Sequence, residues 1–178
     1  MALETKRLIL RTPDMHDAKT VQQLAGDFDI AKTTLLVPHP YPDGAAETWI
    51  EGVQTRAEEG RGYTFAIIRK SDDVFMGVVS LGIAQEHRRA ELGYWIGKPY
   101  WGQGYTTEAA DRVIEFGFGE LNLHRIFAFA MIKNPASSRV MQKIGMSYEG
   151  TLVHHVRKWG EYEDLVVYGV VKTDGEGM

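Results

Sequence analysis

The sequence predicts a single α/β domain in which a mixed, mostly antiparallel sheet of about seven strands is flanked by about four helices. Three observations carry this. Apolar residues recur at period two in some segments and at helical spacing in others, in the order β, α, α, β, β, β, α, β, α, β, β. The run RIFAFAMI at 125–132 is apolar on both of its faces, as a strand covered on both sides must be. A length of 178 residues with 44% hydrophobic side chains suits one domain with its own core, and no repeat, low-complexity tract or linker interrupts it.

Thr5 to Arg11 reads as the first strand, ended by Pro13 and Asp14, and Met15 to Phe28 carries helix formers. The segment LLVPHPYPDG is a loop, because its three prolines block regular hydrogen bonding. A second helix begins near Ala45, with Trp49, Ile50, Val53 and Ala57 on one face. Tyr63 to Arg69, Val74 to Ile83 and Ala90 to Ile96 are β-rich runs separated by KSDD and AQEHRR, and they predict an antiparallel meander. From Thr107 to Gly119 the pattern turns helical, and RIFAFAMI follows as a central strand. Pro135 opens a helix bearing Val140, Met141 and Ile144, which Gly145 ends. Two last strands run Tyr148 to Leu152 and Glu163 to Val171. The domain is expected over 1–172, with TDGEGM at 173–178 a disordered tail.

Composition excludes several chemistries. Without cysteine there is no disulfide framework, thiolate metal site or cysteine nucleophile. The N-terminus has no long apolar stretch and nothing approaches a membrane span, so a cytoplasmic, unprocessed protein is expected. A net charge of -4 with interspersed signs argues against bulk nucleic-acid binding. His154 and His155 are adjacent, point to opposite faces of a strand and have no partner at ligand spacing, so no metal is expected. Homodimerisation stays open.

The most informative stretch is ELGYWIGKPYWGQGYTTEAA, in which a strand enters a tight turn at Gly102 and Gly104 and leads directly into a helix. Side-chain-free positions let backbone N–H groups approach an anion, and a helix N-terminus adds unpaired donors and a partial positive charge. It is not a Walker loop, since no Gly-Lys-Ser/Thr follows. A dinucleotide fingerprint would want a third glycine where Thr107 stands.

Glu91 to Glu108, followed by NPASSRVMQKIGM after the next strand, resembles the GNAT superfamily of N-acetyltransferases, most closely its RimJ/RimL-like branch. The KRLILRTP opening and the YEDLVVYGVV ending extend the resemblance over nearly the whole chain. It implies a GNAT-like fold and an acyltransferase that moves acetyl from acetyl-CoA to a primary amine by direct attack in a ternary complex. It implies that backbone amides from Gly102, Gln103, Gly104, Tyr105, Thr106 and Thr107 hold the coenzyme's pyrophosphate. Tyr94, Trp95 and Ile96 then pair with the pantetheine arm as a strand would, and Asn134 bonds that arm. Trp101 and Thr106 depart from the usual loop residues. His39 and Tyr41 fall where the family binds its acceptor, although ordinary loop packing would also explain them.

Acetyl transfer needs a neutral amine and a leaving thiolate. An α-amine of pKa about 8 costs roughly 1 kcal/mol to deprotonate at pH 7, a lysine-like amine of about 10.4 nearly 5. Glu91, a carboxylate interrupting an apolar strand just before GYWI, is the candidate base; a salt bridge with Arg88, Arg89 or Arg125 is the alternative. Glu108 sits in the first turn of the loop's helix, where the helix dipole accounts for it. Many GNAT enzymes carry a tyrosine acid seven residues after the asparagine, where this chain has Met141. The RimL-like pattern instead implies Ser137, which as a residue near a helix start could also be a cap. The leading expectation is acetylation of a protein N-terminal α-amine. The alternatives are a small amine such as a polyamine or aminoglycoside, and a non-catalytic acetyl-CoA-binding module.

Overall fold

The computed structural model describes residues 1–173; the part of the predicted tail at 174–178 lies outside the described residues. Eight strands form one open sheet in the order β1-β2-β3-β4-β5-β6-β8-β7. They are β1 (Ala2–Glu4), β2 (Leu8–Arg11), β3 (Gly62–Arg69), β4 (Val74–Ala84), β5 (Arg89–Ile96), β6 (Arg125–Met131), β7 (Ser147–Lys158) and β8 (Glu161–Val171). Five α-helices accompany them among the described residues: α1 (Ala18–Ala25), α2 (Phe28–Ala31), α3 (Ala45–Glu58), α4 (Tyr105–Gly119) and α5 (Pro135–Lys143). All neighbouring strands pair antiparallel except β5 and β6.

Several boundaries differ from expectation, three of them near the site's own elements. The opening strand is a hairpin: β1 returns as β2, with Ala2 opposite Arg11. The helix expected over 15–28 breaks at Gly26, and Asp27, in extended backbone, caps α2 by accepting the Asp29 amide. α4 begins at Tyr105, directly after Gly104 in the left-handed region (φ 79°), two residues earlier than its apolar stripe suggests.

The sheet is covered on both faces. One core packs α4 and α5 against it through Phe65, Leu81, Leu92, Phe116, Ile126 and Met141. The other packs α1 and α3 through Val21, Ile50, Ala66, Ile68 and Val78. Side chains alternate along β5, so Leu92, Tyr94 and Ile96 join the first core and Trp95 the second.

What positions the site is the one parallel junction. β5 and β6 pair only where Arg89, Ala90 and Glu91 face Arg125, Ile126 and Phe127. Beyond Glu91 the two strands no longer pair, and residues 92–96 of β5 turn an unpartnered backbone edge toward the gap. Gly77 presses β4 against β5, because a Cβ there would stand 2.3 Å from the Trp95 carbonyl oxygen.

Candidate active site

A cleft of about 1100 Å³ opens at this splay. Glu91, Tyr94, Trp95 and Ile96 line it from β5, Gly102, Gly104, Tyr105, Thr106 and Thr107 from the loop and α4, and Asn134 and Ser137 from the start of α5. Tyr41 and the segment 33–38 form a further wall. A shallower hollow of about 600 Å³ shares Leu36, Pro38, Tyr41 and Trp49 but carries none of Glu91, Tyr94 or Ser137. Of the residues expected at the site, Gln103 and His39 do not line the cleft. Gln103 donates its side-chain amide to the Pro99 carbonyl (3.2 Å). His39 is exposed and packs edge-on against Phe28, with ring centroids 5.3 Å apart.

The loop has the form an anion requires. Gly102 and Gly104 both hold positive φ (72° and 79°), and a Cβ on Gly102 would point into open space. No side chain caps α4, so its first-turn amides keep unmet donors at the cleft wall. Trp101, a departure from the usual loop residue, ties the turn to β5 by donating its indole N–H to the Ile96 carbonyl (2.8 Å). Arg7 straps the other side. Its guanidinium donates to the Gln103 carbonyl (3.0 Å) and lies 4.4 Å from the centre of the Tyr105 ring.

Glu108 belongs to that strap. Its carboxylate accepts from the Thr5 hydroxyl (2.6 Å), the Arg7 amide (2.8 Å) and the Arg7 guanidinium (2.6 Å). Burial pushes its pKa up, but these bonds together outweigh it and hold the carboxyl below its ordinary value. All its bonds run to the β1–β2 hairpin, which makes it an anchor for α4.

Glu91 is held differently. Among the described residues no cation lies within salt-bridge distance, because Arg125 pairs with Glu149 and Arg88 donates to the Asn122 carbonyl. Opposite Glu91 across the sheet stand Gly82 and Phe127. Glu91 is an exposed residue of the strand whose carboxylate is reachable from the cleft, and partial desolvation by the surrounding atoms raises its pKa, as suits a base that must take up a proton.

The sequence did not foretell the role of the Tyr94 side chain. Its phenol oxygen lies 2.8 Å from the Ser137 hydroxyl and 3.0 Å from the Ser137 carbonyl, joining β5 to α5 across the mouth of the splay. Burial pushes the phenol up to about 12, against a smaller opposing effect of the Ser137 bond, so it stays protonated and remains a donor. Asn134 caps α5, its side-chain oxygen accepting the Ser137 amide (3.4 Å). Met141, where the family often has tyrosine, is buried in the core. His154 and His155 stack on Tyr162 and Phe129, and the described residues contain no group of three metal-ligating side chains.

A splayed parallel pair, an unpartnered strand edge and an uncapped helix behind two left-handed glycines together make a cleft suited to an extended ligand that carries phosphate. The Acetyltransferase (GNAT) domain family matches residues 7–147, and the chain belongs to it. Its relatives include the "Probable N-acetyltransferase YjcK" of Bacillus subtilis, 38% identical over 98% of this chain and 99% of that one. The spermidine N(1)-acetyltransferase of Escherichia coli strain K12 is 25% identical over 88% of this chain and 82% of that one. Among solved structures, RimL, a ribosomal alpha-N-protein acetyltransferase in complex with coenzyme A, superposes with a TM-score of 0.89 at 18% identity. That match covers 96% of this chain and 98% of RimL and speaks to the fold. The protein is thus an acyltransferase, an acetyl-CoA-dependent N-acetyltransferase of GNAT type. None of its described helices is long and apolar enough to cross a membrane.

Proposed function

We propose that the acceptor is an α-amine, such as a protein N-terminus, acetylated by direct attack while acetyl-CoA is bound. The observation that carries this is the charge of the cleft. Lys32, Arg56, Arg61, Lys133, Arg139 and Lys143 line it against two carboxylates, Asp29 and Glu91; with Lys32, Arg61 and Lys133 paired to Asp29, Glu59 and Glu163, the cations without a carboxylate partner among the described residues are Arg56, Arg139 and Lys143. Asp29 is occupied by Lys32 and Lys98, which leaves Glu91 as the carboxylate of the lining without an ion pair. A polyamine brings several positive charges to such a surface, whereas the cations near α5 suit the coenzyme's phosphates. One partly desolvated carboxylate also matches the roughly 1 kcal/mol that neutralising an α-amine demands, against nearly 5 for lysine.

In this reading the loop amides of 102–107 hold the pyrophosphate, and the free edge at Tyr94, Trp95 and Ile96 aligns the pantetheine arm. Asn134 keeps its side-chain nitrogen for that arm. An amide near Trp95 or Ile96 polarises the thioester carbonyl. Glu91 takes the proton of the attacking amine, directly or through water, as the C–N bond forms and the C–S bond breaks. The leaving sulfur accepts a hydrogen bond from Ser137, whose hydroxyl Tyr94 polarises, and takes its proton from solvent. With a thiol pKa of about 8.5, little more is needed.

The test compares acceptors at one pH: short peptides with a free N-terminus, the same peptides blocked there but carrying lysine, and spermidine. The acetyl group is located by fragmentation. Faster turnover of the free N-terminus is expected; preferred turnover of lysine or spermidine overturns the α-amine and leaves the acetyl-CoA assignment standing.

A further inference from the structure

The wall opposite Ser137 is a long connection, residues 32–44, with no helix or strand of its own, yet its first half is held firmly from outside the site. Lys158, on the last rung of β7, is buried, with 7% of its surface exposed, and has no carboxylate within 4 Å among the described residues. Its ammonium donates instead to the Thr34 carbonyl (2.6 Å), the Val37 carbonyl (3.1 Å) and, more distantly, the Leu35 carbonyl (3.5 Å). A buried cation whose hydrogen bonds all run to backbone fixes the path of that backbone, because each carbonyl must turn inward to meet it; the ammonium also lies 4.8 Å from the centre of the Trp159 ring.

The next residue adds a second hold. Trp159 and Gly160 form a two-residue turn between β7 and β8 with positive φ at both positions (50° and 88°). Such turns favour Asn-Gly, and a bulky residue in the left-handed region is strained. Here the strained residue aims its indole at the start of the acceptor wall. It stacks on Phe28 (5.5 Å, 15° between planes), and His39 packs against both rings.

Building on the acetyltransferase reading of the cleft, we propose that Lys158 and Trp159 form a clasp that shapes the acceptor side of the site. They are positioning residues: neither lines the cleft, and Lys158 acts through Thr34, Leu35 and Val37, which do, while Trp159 holds Phe28 and His39, which flank that segment in the chain. His39 belongs to the clasp through its packing on Trp159 and Phe28.

Two variants test this. Lys158→Met keeps the bulk and removes the donors; Trp159→Asn removes the ring while giving the turn its favoured Asn-Gly sequence, so folding is preserved. With a free N-terminal peptide as acceptor, each should raise the acceptor KM at least fivefold with kcat changed less than twofold. The acetyl-CoA dissociation constant should be unchanged. Amide exchange should speed up within 33–39 and stay the same within 102–107. An unchanged acceptor KM in Trp159→Asn, or acetyl-CoA affinity falling in step, overturns the clasp. If the wild-type enzyme leaves the peptide unmodified, the α-amine proposal fails separately, and the same KM comparison is made with spermidine.

Discussion

At the scale of single residues, Glu91 and Glu108 show how alike two carboxylates can be in sequence and how unlike in the fold. Both sit beside the glycine loop's strand–turn–helix unit, but Glu108 collects three donors and Glu91 none among the described residues. The consequence is a trade between stability and activity. Because partial desolvation raises the pKa of Glu91 in the folded state, folding binds more protons there than the unfolded chain does. Stability from this site therefore falls as pH rises from the ordinary carboxylate value through the raised folded one. Glu91→Gln should melt at or above the wild-type temperature at neutral pH, with the gap closing below the ordinary carboxylate range. It should also lower kcat roughly 10²-fold and remove the carboxylate limb of the kcat profile, leaving in kcat/KM the acid limb set by the amine's own pKa of about 8. Tyr94, held up to about 12, should add no alkaline limb near neutrality. Melting curves across pH and a pH–rate profile check both; normal turnover in Glu91→Gln would return the residue to a merely structural role.

At the scale of elements, the meander, the loop and the helix behind it were legible in the sequence because each is local. Period-two runs broken by KSDD and AQEHRR are β3, β4 and β5 almost to the residue, and Gly104 sits where α4 begins. What the sequence hid were short elements and long-range meetings. β1 is too brief to show a period, and the break between α1 and α2 rests on one glycine and one aspartate cap. β7 runs on to Lys158 through an irregular stretch between Leu152 and Val156, beyond the predicted end at Leu152. The contact of Tyr94 with Ser137 spans 43 positions, so neither residue announces it. That contact between β5 and α5 predicts coupling. Tyr94→Phe and Ser137→Ala should each slow turnover, while in the Ser137→Ala background Tyr94→Phe should cost little more. A double-mutant cycle on kcat measures this, and simple additivity would mean that the two hydroxyls act apart.

At the scale of the molecule, the cleft lies where the sheet divides into two halves. β1 to β5 and β6 to β8 meet through three parallel residue pairs, and α4 and α5 bridge the rest. The backbone groups of residues 92–96 facing the gap have no strand partner, and buried backbone groups demand one. A cosubstrate that supplies those partners and also binds the α4 N-terminus is expected to behave as a missing strand, stabilising the whole fold. Binding to the native state alone adds about 2.7 kcal/mol at a ligand concentration of 100 times the dissociation constant. For a chain of this size that is a rise in melting temperature of roughly 5–10 °C. Gly104→Val should bind acetyl-CoA at least tenfold more weakly, about 1.4 kcal/mol, because the new side chain meets a strained left-handed backbone at the pyrophosphate's approach. At the same ligand concentration the variant should keep only about half of the thermal shift. That shift, unlike the absolute melting temperature, is insensitive to any strain the valine introduces. Amide exchange should slow on binding at 92–96 and 102–107 and not in β1 or β2. Protection appearing only elsewhere, or an unchanged melting temperature at saturating acetyl-CoA, would mean that the gap between β5 and β6 is not where the coenzyme completes the sheet.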